Sequence, residues 1–311
     1  PLLLLIGPEV IQGGLAARLP ELFARDWPLK VVFLDDGTTG LDAGFAAFQA
    51  ALAARKAFVL RSGMANRSHL FHGLMEGLQG TGPAFIHLLA PSGADGTAEE
   101  QARTALQTRA FPMLVFRPEK ASEFLAAGLT LDGNPQLESD WVSSSIPLPG
   151  IQAAEPLTYF LTYADWLRTL PDWEDEFTPW NESAGFAVPV SYYLENEPAA
   201  LKGKVPVVVT ETSSPLGFSS WIPSSRVLEQ TKTAGLQWKT LKEMAGIQAL
   251  FRKEQTESLE QGLLAKHAAE LSSMRDAFES GLKEEQAKWM GEVKIILRDK
   301  LIALSKMKNQ A

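Results

Sequence analysis

The sequence predicts an α/β protein built on a doubly wound parallel β-sheet, and two observations indicate this class. Short apolar runs alternate with helical patterns over residues 1–118. The clearest unit has an apolar run at residues 56–61, a helical pattern at 66–78 and a second apolar run at 84–90. A strand, a crossover helix and a second strand joined by short loops form a parallel βαβ unit. Repetition of this unit gives a sheet with helices on both faces.

Five apolar runs are expected to be strands of one parallel sheet, because each is short and lies between helical patterns. They are Leu2–Ile6, Val31–Leu34, Ala57–Leu60, Phe85–Leu89 and Met113–Phe116. The first run is apolar without alternation, which is typical of a strand buried on both faces. The helix between the third and fourth strands is expected to be capped by Asn66 or Ser68, whose side chains accept backbone hydrogen bonds.

Two further regions follow this predicted domain. Residues 119–250 lack a sustained period and are expected to form an irregular extension. Strands at Tyr192–Leu194 and Val205–Thr210 and a helix over Val227–Ala245 are predicted within it. The tryptophans at 166, 173 and 180 are expected to pack this extension rather than to form a binding surface. Residues 251–311 predict a long amphipathic helix that needs a partner, because apolar residues recur at steps of three and four.

Composition and charge exclude several classes of function. The net charge is −8, which argues against nucleic acid or an anionic membrane as the main partner. The chain has no cysteine. It therefore has no disulfide and no cysteine nucleophile, and it cannot ligate an iron–sulfur cluster through cysteine. No apolar run approaches the roughly 20 residues of a membrane span. Leu2–Ile6 lacks the basic flank of a signal peptide, so a cytoplasmic protein is expected. Because the chain opens inside a predicted strand, we expect it to be the C-terminal piece of a longer protein.

Several polar residues are candidates for chemistry. His69, His72 and Glu76 share one face of the predicted helix and would either hold a metal or form a polar surface, of which the second is favoured. His87 lies inside an apolar strand and is expected to be a hydrogen-bonded core residue rather than a base. Asp35 and Asp36 follow a strand, where carboxylates line a ligand crevice or form a solvated turn. No phosphate-binding glycine motif is complete.

The unit at residues 63–92 also resembles a known family. Gly63-Met-Ala-Asn66, a helix and then the run from Gly82 to Ser92 are similar to the thiamine-diphosphate-binding domain of pyruvate (2-oxoacid):ferredoxin oxidoreductases. Further similar runs lie downstream, at residues 108–112, 131–135, 140–141, 156–158, 164–165, 203–206 and 238–247. The resemblance therefore extends over roughly residues 2–247. It implies the family's C-terminal thiamine-type fold, here followed by an irregular extension and a long helix.

The resemblance also implies a function. The family decarboxylates a 2-oxoacid such as pyruvate oxidatively on thiamine diphosphate and Mg²⁺, and passes the electrons through iron–sulfur clusters to ferredoxin. Partners would be the other domains or subunits, with ferredoxin bound through them, in a homo- or hetero-oligomer. The clusters would lie outside this chain. The cofactor-binding residues implied by the correspondence are Gly7, Glu9, Asp35, Asp36, Thr38, Asp42 and Asn66.

Two departures from the family pattern concern the magnesium ligands. The family's first strand ends in Gly-Asp-Gly, whose Asp binds the metal, whereas this chain has Gly7-Pro8-Glu9. The position of a ligating Asn falls on Leu41, next to Asp42. Proline and leucine supply no ligand to an ion that requires octahedral oxygen coordination. The leading prediction is a domain or subunit of a 2-oxoacid:ferredoxin oxidoreductase-like complex, and the alternative is a degenerate scaffold that keeps the fold for packing and uses the long helix to bind partners. A third possibility is an unrelated small-molecule enzyme that uses the crevice near Asp35, Asp36 and Asp42.

Overall fold

The structure is a computed structural model, and it describes residues 2–37, 41–91, 97–146, 157–211, 217–247 and 250–308. The chain divides into two compact units, Pro1–Gln248 and Ala249–Ala311. The strands are β1 (Leu2–Ile6), β2 (Leu29–Asp35), β3 (Phe58–Gly63), β4 (Ala84–Leu89), β5 (Leu114–Phe116), β6 (Leu129–Thr130), β7 (Val142–Ile146), β8 (Leu157–Leu161), β9 (Phe177–Pro179), β10 (Phe186–Pro189), β11 (Lys204–Glu211) and β12 (Phe218–Pro223).

The α-helices are α1 (Pro8–Gln12), α2 (Leu19–Phe23), α3 (Leu41–Ala53), α4 (Arg67–Gln79), α5 (Thr97–Gln107), α6 (Leu125–Gly128), α7 (Tyr163–Leu167), α8 (Val190–Glu195), α9 (Ser225–Met244) and α10 (Leu250–Lys308). Short 3₁₀ turns connect several of them. The first unit is therefore a mixed α/β structure, and the second unit contains α10.

The main sheet has the strand order β1-β2-β4-β3-β5-β6. The first four strands in this order are parallel, as predicted. The prediction for the fifth strand was wrong, because β5 is antiparallel to β3 and pairs Leu114 with Arg61. The reason is where the chain lies when β5 begins. The carbonyl of Ala110 accepts a hydrogen bond from Arg61, close to the carboxyl end of β3. The chain is then already at the carboxyl edge of the sheet and can only run back.

The burial of β1 also differs from the prediction. Leu2, Leu3 and Leu5 are each more than half exposed, and Ile6 is the buried residue of this strand. Within the described part of the chain, β1 pairs with β2 and lies at the edge of the sheet. An apolar run specifies a strand, but its place in the sheet depends on which strands pair with it.

Apolar side chains from both faces of the sheet form separate clusters. On one face, Phe33 and Phe85 belong to a cluster that also contains Phe48 of α3 and Trp238 of α9. On the other face, Leu60 and Ile86 pack with residues that include Leu74 of α4. These opposite faces follow from the alternation of side chains along each strand. The prediction of an Asn66 cap is confirmed, because the Asn66 side chain accepts a hydrogen bond from the His69 backbone N–H.

In the extension, one strand prediction is confirmed and one is wrong. The run Val205–Thr210 lies in β11, part of a smaller sheet of order β10-β11-β12-β9. The run Tyr192–Leu194 lies instead in α8, which follows Pro189 and buries Val190 and Ser191. The predicted helix at 227–245 is α9, and Trp166 is buried as a packing residue, as expected.

The second unit contains a long helix, as predicted. Helix α10 is 59 residues long. From residue 260 to residue 302 most of its apolar side chains are exposed, including Phe278 and Trp289. Among the described helices, none is both long and apolar enough to cross a membrane.

Candidate functional site

The carboxyl ends of β2, β3 and β4 form a crevice of the kind where α/β proteins bind ligands. Asp35 ends β2, Gly63 ends β3 and Leu89 ends β4. A cavity of about 30 Å³ lies there. Its described lining is Asp35, Gly37, Arg61, Leu89, Ala105, Ala110, Phe111, Tyr163 and Trp166. A volume of this size holds water-sized molecules, whereas pockets for cofactor-sized ligands measure roughly 300–1,000 Å³.

Asp35 is held by two hydrogen bonds at the floor of this crevice. Its Oδ2 accepts a hydrogen bond from Nε2 of His87 at 2.9 Å, and its Oδ1 accepts one from the backbone N–H of Gly37 at 2.9 Å. Both the Asp35 and the His87 side chains are buried. Burial lowers the pKa of His87 to about 4, although the hydrogen bond to Asp35 opposes this effect. His87 is therefore neutral near pH 7 and donates its single N–H to Asp35.

Two aromatic rings pack against His87. Its ring stacks on Phe33, with 4.4 Å between ring centroids, and meets the edge of Phe111. Its Nδ1 has no hydrogen-bond partner among the described residues. The prediction that His87 is a hydrogen-bonded core residue is therefore confirmed.

Arg61 lies in the crevice and is not among the residues predicted from the sequence. Its guanidinium is fully buried, lies 4.1 Å above the ring of Phe111 and donates a long hydrogen bond of 3.4 Å to the carbonyl of Ala110. Burial lowers its pKa to about 10, while the charge of Asp35 acts in the opposite direction. Arg61 is therefore still a cation at pH 7 and balances the Asp35 carboxylate. The available signal was a basic residue inside an apolar strand run.

Helix α7 brings Tyr163 and Trp166 from the extension over the crevice. A capping box fixes its first turn, because Asp165 accepts hydrogen bonds from the backbone and the hydroxyl of Thr162. Burial raises the pKa of Asp165 to about 6 despite these bonds. Gly37 has φ +94°, and a Cβ at this residue would lie 3.3 Å from Trp166. The turn after β2 therefore runs close against the Trp166 ring.

The predicted cofactor-binding residues occupy different positions. Asp35 lines the cavity, and Asp36 follows it at the end of β2. Asn66 caps α4, and its Nδ2 would lie 3.1 Å from a Cβ on Gly133. Glu9 folds back over Gly7 at the carboxyl end of β1, since a Cβ on Gly7 would lie 2.7 Å from its carboxylate oxygens.

Two members of the predicted set are described incompletely or not at all. Thr38 lies outside the described residues. For Asp42 the structure gives the backbone, which lies in α3, but the side chain lies outside the description. The structure therefore brings together only part of the predicted cofactor-binding residues. Of the described members, Asp35 lines the cavity.

The three candidate metal ligands of α4, His69, His72 and Glu76, contact separate partners. The Nδ1 of His69 lies 2.8 Å from the Ser62 hydroxyl, and the Nδ1 of His72 donates to the Ser68 carbonyl at 2.8 Å. Glu76 accepts two hydrogen bonds from the guanidinium of Arg117, at 2.5 and 2.7 Å. Across the described residues, no group of three or more His, Asp or Glu side chains is placed to hold a metal ion.

Comparison with known proteins adds no relative to this picture. Neither a scan against protein-family models nor a search of curated proteins returns a match to this chain.

Proposed function

We propose that this chain is a catalytically degenerate, partner-binding subunit or domain of a complex related to the 2-oxoacid:ferredoxin oxidoreductases. In this proposal it keeps a thiamine-type doubly wound fold for packing and does not bind thiamine diphosphate. The partners are other domains or subunits of the oxidoreductase, and α10 is the arm that binds a partner. The sequence resemblance supports the family, and the geometry of the crevice supports the loss of the cofactor.

The observation that carries the proposal is the filling of the crevice by the chain's own side chains. Arg61 stacks on Phe111 inside it, and Tyr163 and Trp166 line it from α7. The cavity that the described side chains leave has a volume of about 30 Å³, against roughly 300–1,000 Å³ for pockets that bind ligands of cofactor size, and this supports the loss of the cofactor. Buried groups of α7, including the Asp165 carboxyl, hold this helix against the crevice.

The chemistry of the described ligand candidates also argues against the cofactor. Pro8 starts α1 where the family has its ligating Asp, and it has no side-chain oxygen. Asp35 is engaged by His87, and Asn66 is engaged as a helix cap. A magnesium ion needs several free oxygen ligands in near-octahedral geometry, and the described residues of this set do not provide them.

The catalytic alternative follows from the same resemblance. In that case the chain would hold thiamine diphosphate and decarboxylate a 2-oxoacid, with iron–sulfur clusters and ferredoxin outside it. Glu9 and Asp42 are the carboxylates that would have to replace the missing ligands. The two functions differ in one measurable property, which is the affinity for the cofactor.

Calorimetric titration of thiamine diphosphate and Mg²⁺ into the full chain tests the proposal. We expect no saturable heat with ligand in the millimolar range. A thermal melt at the same concentrations gives a second reading, because ligand at about 100 times its Kd would stabilise the fold by about 2.7 kcal/mol.

Micromolar, magnesium-dependent binding would contradict the proposal and support the catalytic alternative. In that event Glu9→Gln and Asp42→Asn should each weaken binding. Glu119→Gln is the matched control, because Glu119 lies in the 3₁₀ turn at Pro118–Lys120 after β5 and outside the lining of the crevice.

A further inference from the structure

Helix α10 carries a stripe of apolar side chains, and these are exposed in the described part of the helix. Phe278, Leu282, Trp289 and Ile296 are between 43% and 69% exposed, and they recur at steps of four and seven residues. A single helix in water with such a stripe is marginally stable, so the stripe requires a surface to cover it.

The spacing of the stripe identifies another long helix as the fitting surface. Leu271, Leu282, Val293 and Leu304 follow one another at intervals of 11 residues, and Phe278 and Trp289 have the same interval. Eleven residues make three turns at about 3.67 residues per turn, so side chains at this interval stay on one face along the whole helix. Among the described side chains, the stripe stays on one face from Leu271 to Val293, and such a stripe matches another long helix. Aromatic residues such as Phe278 and Trp289 each bury roughly 150–250 Å² in such contacts.

The charges of α10 are distributed unevenly along its length. Residues 294–308 contain five basic residues and one acidic residue, a net charge of +4. Residues 270–285 contain five acidic residues and two basic residues, a net charge of −3. Two copies of α10 in parallel would place like charges side by side. Two copies in antiparallel orientation place the basic segment of each beside the acidic segment of the other.

We propose that α10 pairs with α10 of a second copy of this chain as an antiparallel helix pair centred near Trp289. The midpoint between the basic and acidic segments falls at this residue. An antiparallel pair is isologous, so each copy contributes the same surface and the assembly closes as a dimer. This inference rests on the proposed role of α10 as a partner-binding arm, and it names the partner.

Sedimentation of the full chain at tens of micromolar tests the pairing. We expect a dimer for the unmodified chain and a monomer for Ile296→Asp, which places a charge in the stripe. Ile295→Asp is the matched control, because Ile295 is 54% exposed against 56% for Ile296 but lies about 100° away around the helix. This control should stay dimeric. A monomeric unmodified chain, or equal dissociation of both variants, would overturn the proposal.

The orientation is tested by the distance between two spin labels. The chain has no cysteine, so Ser272→Cys introduces a unique labelling site on the exposed surface of α10. In the antiparallel pair the two labels lie about 50 Å apart, from 17 residues on each side of Trp289 at 1.5 Å per residue. A distance below about 25 Å would indicate a parallel pair and overturn the proposal.

The salt dependence of the dissociation constant tests the proposed charge pairing independently. Because opposite charges face each other in the antiparallel pair, the dissociation constant should rise several-fold between low salt and about 0.5 M salt. A dissociation constant that falls with salt would contradict the charge pairing. These results are separate from the cofactor titration, since binding of thiamine diphosphate would overturn the degenerate site and leave the helix pair unaffected.

Discussion

Strands β1 and β4 have similar sequences but very different surroundings. Both are short apolar runs, Leu2–Ile6 and Ala84–Leu89. Strand β4 lies between β2 and β3, and its Phe85 and Ile86 are fully buried on opposite faces. Strand β1 lies at the edge, and four of its five residues are exposed. The same apolar pattern therefore specifies a strand in both places, whereas the pairing of strands decides which one becomes core.

The largest effect is expected in β4. Phe85→Asp should lower the free energy of unfolding by about 4 kcal/mol or more, because an unpaired charge would be buried in the apolar cluster on one face of the sheet. Urea denaturation followed by circular dichroism measures this. A loss below about 1 kcal/mol would mean that the interior of the sheet tolerates a charge as well as the edge does. That result would contradict the contrast drawn between β4 and β1.

The free energy of unfolding measured as a function of pH tests the burial of His87 near the carboxyl ends of β2 and β4. The pKa of His87 is about 4 in the folded chain and about 6.5 when unfolded, so the unfolded chain binds the extra proton first. This contribution to stability is complete above about pH 6.5 and is lost as the pH falls towards about 4. At its largest it is about 3 kcal/mol.

The variant His87→Gln isolates this contribution. As the pH falls from 6.5 to 4, the free energy of unfolding of the unmodified chain should decrease relative to that of this variant. Asp165 has a raised pKa and titrates with the opposite sign in part of this range, but it is present in both chains and cancels in the difference. Parallel stability curves for the two chains would show that His87 does not titrate in this way.

A smaller loss is expected from Tyr159→Phe in the extension. The Tyr159 hydroxyl donates a hydrogen bond of 2.6 Å to the buried Asp165 carboxyl, which in turn caps α7. Its removal should lower the free energy of unfolding by about 1–2 kcal/mol. The control Tyr193→Phe removes a hydroxyl from a half-buried tyrosine of α8 and should change stability by less than about 0.5 kcal/mol.

The smallest effect is expected at Leu4, in the same row of the sheet as Phe85. Leu4 pairs with Val31, which pairs with Phe85. Leu4 is 40% exposed at the edge, so Leu4→Asp should cost less than about 1 kcal/mol because the new charge reaches water. A loss as large as that of Phe85→Asp would show that β1 is covered in solution.

Short-range patterns in the sequence predicted many of the strands and helices, but they predicted fewer of the residues that line the crevice. The apolar runs predicted β1 to β5 as strands, and Asn66 followed by a helical period predicted the start of α4. Asp35 was predicted at the end of β2 from its position after an apolar run. Tyr163 and Trp166 could not be assigned to the crevice, because they lie more than 120 residues after Asp35 and reach it only through the packing of α7.

Local signals in the sequence specify the apolar strands, the cap of α4, and the length and stripe of α10. These depend on side-chain period and on hydrogen bonds between near neighbours in the chain. The tertiary structure alone decided that β5 runs antiparallel, that β1 is an exposed edge, and that Arg61 and Trp166 fill the crevice. Each of these depends on which distant segments pack together. For Arg61 the sequence shows only a basic residue within an apolar run, and this does not specify which residues it contacts.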